Sequence, residues 1–263
     1  MAIHDLQSRQ AEPKPQSAPR RNLGRRRPLR VAGHILFWSG MLILAFLAYQ
    51  LWGTSLYTRG AQEELAGQLA ARLAPPRTAF SPTTEPPVEP AVPSRPPTTT
   101  AAPGEIIVER APSEGQAVGR IVIPAAAVDD IMVEGVDRDV LKKGPGHMPW
   151  TPLPGQPGNS VISGHRTTYG APFFYLDQVK VGDDIYVDTG IGRHTYRVRE
   201  ILVVEPTDVW VTEFREGAWL TLTTCTPRYS AAQRLVIVSE LVAGPNLAAI
   251  AADMGNQVRE AAA

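Results

Sequence analysis

The chain has 263 residues, with 26 lysines and arginines against 26 aspartates and glutamates, so its formal net charge is zero. That balance removes any global electrostatic argument for a nucleic acid or other polyanion as partner, and the length allows one or two folded domains. A single cysteine, Cys225, excludes an intrachain disulfide framework.

Charge is unevenly spread. Residues 1–30 carry Arg9, Lys14, Arg20, Arg21, Arg25, Arg26, Arg27 and Arg30 against only Asp5 and Glu12, with almost nothing to bury, which predicts a disordered basic tail. From Val31 to Tyr57 no Asp, Glu, Lys or Arg occurs. About 20 apolar residues at ~1.5 Å rise cross a ~30 Å hydrocarbon core, so 31–57 reads as one transmembrane helix. A cleavable signal peptide has a shorter apolar region followed by small residues, and the paired arginines lack a twin-arginine context. The arginine cluster on the amino side predicts a cytoplasmic N-terminus and an exported bulk at the cell membrane.

Residues 58–74 place Leu65, Leu69 and Leu73 at i, i+4 spacing, which predicts a short juxtamembrane helix, solvated and without a partner. Ten prolines then fall between Pro75 and Pro103, making 75–104 a Pro/Thr-rich linker in extended, polyproline-like states. At ~3.1 Å per residue it reaches up to roughly 90 Å, a spacer holding a folded head away from the bilayer.

The head, 105–243, has a β-rich texture. Ile106 to Val108, Gly119 to Ile123, Ile131 to Val133, Ser160 to Ile162, Ile185 to Val187, His194 to Val204, Trp219 to Thr224 and Leu235 to Val238 are strand candidates between Gly, Pro and Asp punctuation. Asp188 to Gly192 reads as a hairpin turn. Short helical pieces are expected at Asp139 to Lys143 and Pro172 to Leu176, and residues 244–263 form an Ala-rich, weakly helical, peripheral extension. The class is all-β; the strand pattern alone does not separate a barrel from a sandwich.

Cys225 ends an alternating run, Thr221-Leu222-Thr223-Thr224-Cys225, and Arg234 opens the next strand. A lone thiol is most often a small buried hydrophobe, but one kept in an exported chain risks oxidation, and its retention suggests use. His165 follows a short apolar run and a glycine, where a strand gives way to a loop. Thiol, imidazole and guanidinium at three strand ends are the parts for acyl transfer. The residues alone leave His147 and His194 open as the base, and Arg228 as a competitor of Arg234. No Cys-x-x-Cys or His-Glu-x-x-His pattern supports zinc.

At these residues the chain resembles the sortases. The Thr-Leu-Thr-Thr-Cys run with Arg234, and Ser-Gly-His ending at His165, carry the likeness. Gly-Pro-Gly-His (144–147), Gly-Gln-Pro-Gly-Asn (155–159), the segment 165–173 and Cys-Thr-Pro-Arg-Tyr-Ser (225–230) look most like class E sortases of high-GC Gram-positive bacteria. The similarity spans roughly 117–241. It implies an eight-stranded β-barrel and a cysteine transpeptidase with Cys225 as nucleophile, His165 as general acid and base, and Arg234 holding the substrate carbonyl or oxyanion. It implies cleavage of a C-terminal sorting signal of Leu-Ala-x-Thr-Gly or Leu-Pro-x-Thr-Gly type between Thr and Gly. Transfer then goes to an amine on a lipid-linked peptidoglycan precursor or a pilin. Thr224 beside the thiol and Tyr169 beyond His165 are candidate substrate contacts. No cofactor is implied, and no acidic cluster demands calcium. A cysteine endopeptidase and a non-catalytic, cell-wall-binding barrel are the competing readings.

Overall fold

The computed structural model describes residues 26–49, 53–74 and 105–261. Of the tail predicted over 1–30, residues 1–25 lie outside the described residues, whereas Arg26 to Arg30 are helical and not disordered; the Pro/Thr-rich run 75–104 also lies outside them. The chain divides into two units, Met1–Leu47 and Ala48–Ala263. The described part of the first is helix α1 (Arg26–Ala48) up to Leu47. Its Arg30–Ala48 stretch has a mean hydropathy of 2.0 and buries no residue, and is long and apolar enough to cross a membrane. The apolar run of 31–57 is thus divided, because Thr54 to Tyr57 belong to the next helix, α2 (Thr54–Leu73), in the second unit.

Eight strands close the second unit into a barrel: β1 (Ala117–Ile123), β2 (Val128–Glu134), β3 (Gly146–His147), β4 (Gly158–Ser163), β5 (Asp184–Thr189), β6 (Gly192–Val204), β7 (Ala218–Thr226) and β8 (Gln233–Ala243). Around the barrel they run β1-β2-β3-β4-β7-β8-β6-β5. The pairs β2·β3 and β4·β7 are parallel and the others antiparallel. Period-two alternation sets the faces. Leu220 and Leu222 of β7 enter the main apolar core with Ile162, Tyr196 and Ile237, so Thr221, Thr223 and Cys225 point the other way. A second cluster lies on that outer face, where Val211 of the β6–β7 connection covers Val236 and Val238.

Several expectations are corrected. Ile106 to Val108 is not a strand: the side-chain amide of Asn246 accepts from the Ile107 N–H and donates to its carbonyl, both at 2.8 Å, supplying the rung a neighbouring strand would give. The two-residue β3 was not expected. The helical piece foreseen at Pro172 to Leu176 is a run of turns, with a 3₁₀ turn only at Leu176–Gln178. Helix α3 (Arg138–Leu141) falls where a short helix was foreseen, and α4 (Leu247–Ala261) buries Ile250 in the barrel core.

The largest correction concerns α2, read from sequence as a helix without a partner. Leu65, 1% exposed, and Leu69 pack on Ala117 and Val133 of the barrel. Pairing of β2 with β3 begins only at Val133, so the edge of β2 is open at Ile131. Gln62 closes it: its amide accepts from the Ile131 N–H at 2.7 Å and donates to the Ile131 and Lys143 carbonyls at 2.9 Å. Arg72 adds an ion pair to Glu109. Residues 75–104 therefore connect two parts of one folded unit, and the spacer role foreseen for them does not hold. Only residues 49–53 separate α1 from α2.

Candidate active site

Register carries the site. In the antiparallel β7·β8 ladder Cys225 is directly opposite Arg234, so thiol and guanidinium project from the same face. In the parallel β4·β7 ladder Ser163 pairs with Thr223, and their hydroxyls meet at 2.8 Å on that face. Below them the Thr221 hydroxyl donates to the Asn159 side-chain oxygen at 2.7 Å. Two residues beyond Ser163 and Thr223 come His165 and Cys225. The Gly164 N–H still donates to the Thr223 carbonyl at 3.1 Å, carrying the ladder to the residue before the imidazole. Gly164 has no room for a side chain: a Cβ there would lie 2.6 Å from the Phe173 ring, which the core holds in place.

Cys225 is free and half-buried. His165 is half-buried, and its Nε2 has no hydrogen-bond partner. Burial pushes the imidazole below its ordinary pKa and the Lys142 ammonium adds to this, so at neutral pH the ring is neutral. Tyr169 stacks on it with centroids 5.2 Å apart, and the Lys142 ammonium lies 5.7 Å from the Tyr169 centroid on a side chain paired with Asp139. Arg234 donates to the Ala231 and Gln233 carbonyls at 3.1 Å and has no carboxylate partner among the described residues.

The competing residues are committed elsewhere. His147 is fully buried between the Glu134 carboxylate at 2.8 Å and the Pro152 carbonyl at 3.1 Å. His194 is fully buried beside the Thr189 hydroxyl at the β5–β6 hairpin. Arg228 donates through one terminal nitrogen to both Asp177 carboxylate oxygens and lies over the Phe174 ring. Thr224, read as a substrate contact, faces inward, and its buried hydroxyl donates to the Gly164 carbonyl at 2.8 Å. It ties β7 to the loop carrying His165 and offers no free hydroxyl to a groove.

Sequence reasoning missed Arg166. Its side chain is 3% exposed and spans the site: Nε donates to the Phe174 carbonyl at 2.8 Å, one terminal nitrogen to the Cys225 carbonyl at 3.4 Å, and the other pairs with Asp177 at 3.1 Å. Asp177 thus holds Arg166 and Arg228 together, joining the His165 loop, the end of β7 and the β7–β8 turn. The only local signal was the adjacency of Arg166 to His165; the carboxylate and the second arginine come from distant segments.

A family model described as the sortase domain matches residues 121–242, from β1 through β8. The barrel is a sortase domain. The chain is 28% identical over 229 residues to sortase SrtE1 of Streptomyces coelicolor, covering 81% of this chain and 57% of that protein. To sortase SrtE2 of the same organism it is 26% identical over 244 residues, covering 83% and 87%. A solved sortase E variant from Streptomyces avermitilis shares 31% identity over 52% of this chain and 99% of its own, with a TM-score of 0.46. Among family members the sortase domain here is most like class E. The chain spans a little over half the length of SrtE1.

Proposed function

We propose that this chain is a membrane-anchored cysteine transpeptidase that cleaves a C-terminal sorting signal between Thr and Gly and passes the Thr carbonyl to an amine. The observation that supports it most directly is the β4-β7-β8 register, in which Ser163 pairs with Thr223 and Cys225 with Arg234. In this reading the neutral His165 takes the proton of the Cys225 thiol as sulfur attacks the Thr carbonyl. The C–S bond forms, the C–N bond breaks, and the imidazole returns the proton to the departing glycine nitrogen. Arg234, always cationic and free of a carboxylate, turns from the loop carbonyls to the tetrahedral oxygen. Tyr169 contacts the second position of a Leu-Ala-x-Thr-Gly signal, and Thr224 acts through the His165 loop.

The apolar helix α1 is the anchor in this reading, with the N-terminus cytoplasmic and the barrel extracellular. Substrate proteins tethered in the same membrane and a lipid-linked peptidoglycan precursor or pilin amine are the partners. Tethering all three to one surface raises effective concentration.

The test uses the full chain in detergent with a Leu-Ala-x-Thr-Gly peptide and triglycine. Mass spectrometry is expected to find an acyl adduct on Cys225 and a ligated product. Cys225→Ala shows neither, and Arg234→Lys lowers kcat by about 100-fold. Acyl transfer retained in Cys225→Ala sinks the proposal; water as the sole acceptor makes the protein an endopeptidase.

A further inference from the structure

Two cavities of about 420 and 480 Å³ meet at the same pair of residues, Asp130 and Gly170. The smaller is bounded by α2, including Arg59 and Glu63 at its rim; the larger runs under Phe174 and Tyr175. Gly170 belongs to the turn between Tyr169, stacked on His165, and Ala171; all three residues have positive φ. The cleft therefore ends at the segment that carries the imidazole.

Asp130 is the charged group at the junction. It is the core-side residue between Val128 and Met132 on β2, whereas its neighbour Asp129 turns outward into a two-pronged ion pair with Arg120. Among the described residues Asp130 has neither a hydrogen-bond nor an ion-pair partner. Most carboxylates on this barrel do: Asp129, Asp177, Asp184 and Asp188 are each bonded to an arginine. Burial pushes the Asp130 carboxyl up to about 6, with Asp129 adding to it, so it is ionised at neutral pH at a cost in desolvation. A half-buried carboxylate left unpaired beside a cleft gains from a cation that enters the cleft.

We infer that this cleft is the entry site of the second substrate, and that Asp130 binds the acceptor in its ammonium form. The inference rests on the transpeptidase reading above and deepens it by giving the acceptor a cleft of its own, beside the segment that follows His165. The bound ammonium releases one proton to water through the open side of the cleft. The free amine then attacks the thioester carbonyl: the C–N bond forms, the C–S bond breaks, the second nitrogen proton passes to His165, and from there to the leaving sulfur. Glu63 at the rim reinforces the preference for a cation, while Arg59 limits it to acceptors whose amine reaches past it.

The experiment measures steady-state ligation by the full chain in detergent, varying triglycine at saturating sorting peptide and the reverse. Asp130→Asn and Asp130→Ala are expected to raise the KM for triglycine about 10-fold while the KM for the sorting peptide stays within about twofold; Asp130→Glu recovers part of the loss. Because the substitution to Asn removes a desolvated charge, its melting temperature at pH 7 is expected at or above that of the unchanged chain, so a raised KM is not misfolding. A triglycine KM unchanged in both Asn and Ala variants overturns the inference. Failure of the unchanged chain to form any Cys225 thioester overturns the transpeptidase reading instead, and this inference with it.

Discussion

The guanidinium of Arg166 donates to the backbone carbonyl of Cys225 at 3.4 Å, although the two residues belong to different segments and Arg166 directly follows His165. One side chain thereby fixes the nucleophile's backbone against the segment that holds the imidazole. Burial lowers the pKa of that guanidinium and Arg228 pushes the same way, while Asp177 opposes them. The cation is held where it is because Asp177 is there.

Removing that carboxylate is the test. Asp177→Asn is expected to cost roughly 1–2 kcal/mol of stability, less than for an enclosed pair because the Asp177 side chain is 45% exposed. Acyl-enzyme formation is expected to fall about 10-fold or more, and Asp177→Glu to restore most of it. The readout specific to positioning is the split between kcat and KM: the Asn variant lowers kcat at saturating sorting peptide with KM nearly unchanged, whereas a purely structural lesion lowers the fraction of enzyme that forms any adduct.

The seat of α2 makes a second prediction. Leu65→Ala removes a side chain that is 1% exposed and is expected to cost about 2–4 kcal/mol, measured by urea unfolding. A chain beginning at Glu105 loses Leu65, Leu69 and the Gln62 bonds to β2 together. It is expected to melt below one beginning at Gly53, and equal melting temperatures would show that α2 contributes nothing.

Acid stability depends on groups of opposite sign: His165 and His194 are lowered and Asp130 is raised. Burial pulls the His194 imidazole down from 6.5 to about 4, with Asp188 opposing. Between those pH values the unfolded chain binds a proton that the folded chain refuses, so stability falls on acidification, by roughly 3 kcal/mol from this group. Asp130 is raised from 3.8 to about 6, so the folded chain binds its proton first and stability rises over that window. Unfolding free energy measured from pH 6.5 to 4 is therefore expected to decline more steeply in Asp130→Asn than in the unchanged chain. In His194→Gln the decline is expected to be much shallower than in the unchanged chain. Identical slopes in all three proteins would contradict both assignments.

What the sequence disclosed follows the reach of each interaction. The pairing of Cys225 with Arg234 was legible because β7 and β8 are joined by a short turn, so alternation fixes both faces. His165 was singled out by motif, since the parallel β4·β7 contact joins segments separated by two intervening strands and no local pattern announces it. The Asp177 link between two arginines was illegible for the same reason. Leucines at 65 and 69 read alike on a solvated helix and on a docked one; what decided between them was the open edge of β2, which Gln62 occupies. The strand foreseen at Ile106 has the right composition but finds a side-chain amide where a partner strand was needed.

The Pro-rich run leaves from α2 and returns to the barrel, so both of its ends are fastened to the same body. A protease that nicked it would divide the polypeptide without releasing the barrel. The piece bearing α1 and α2 would stay bound through two leucines, two glutamines, a threonine and an arginine, and shedding would become a dissociation equilibrium set by that small interface.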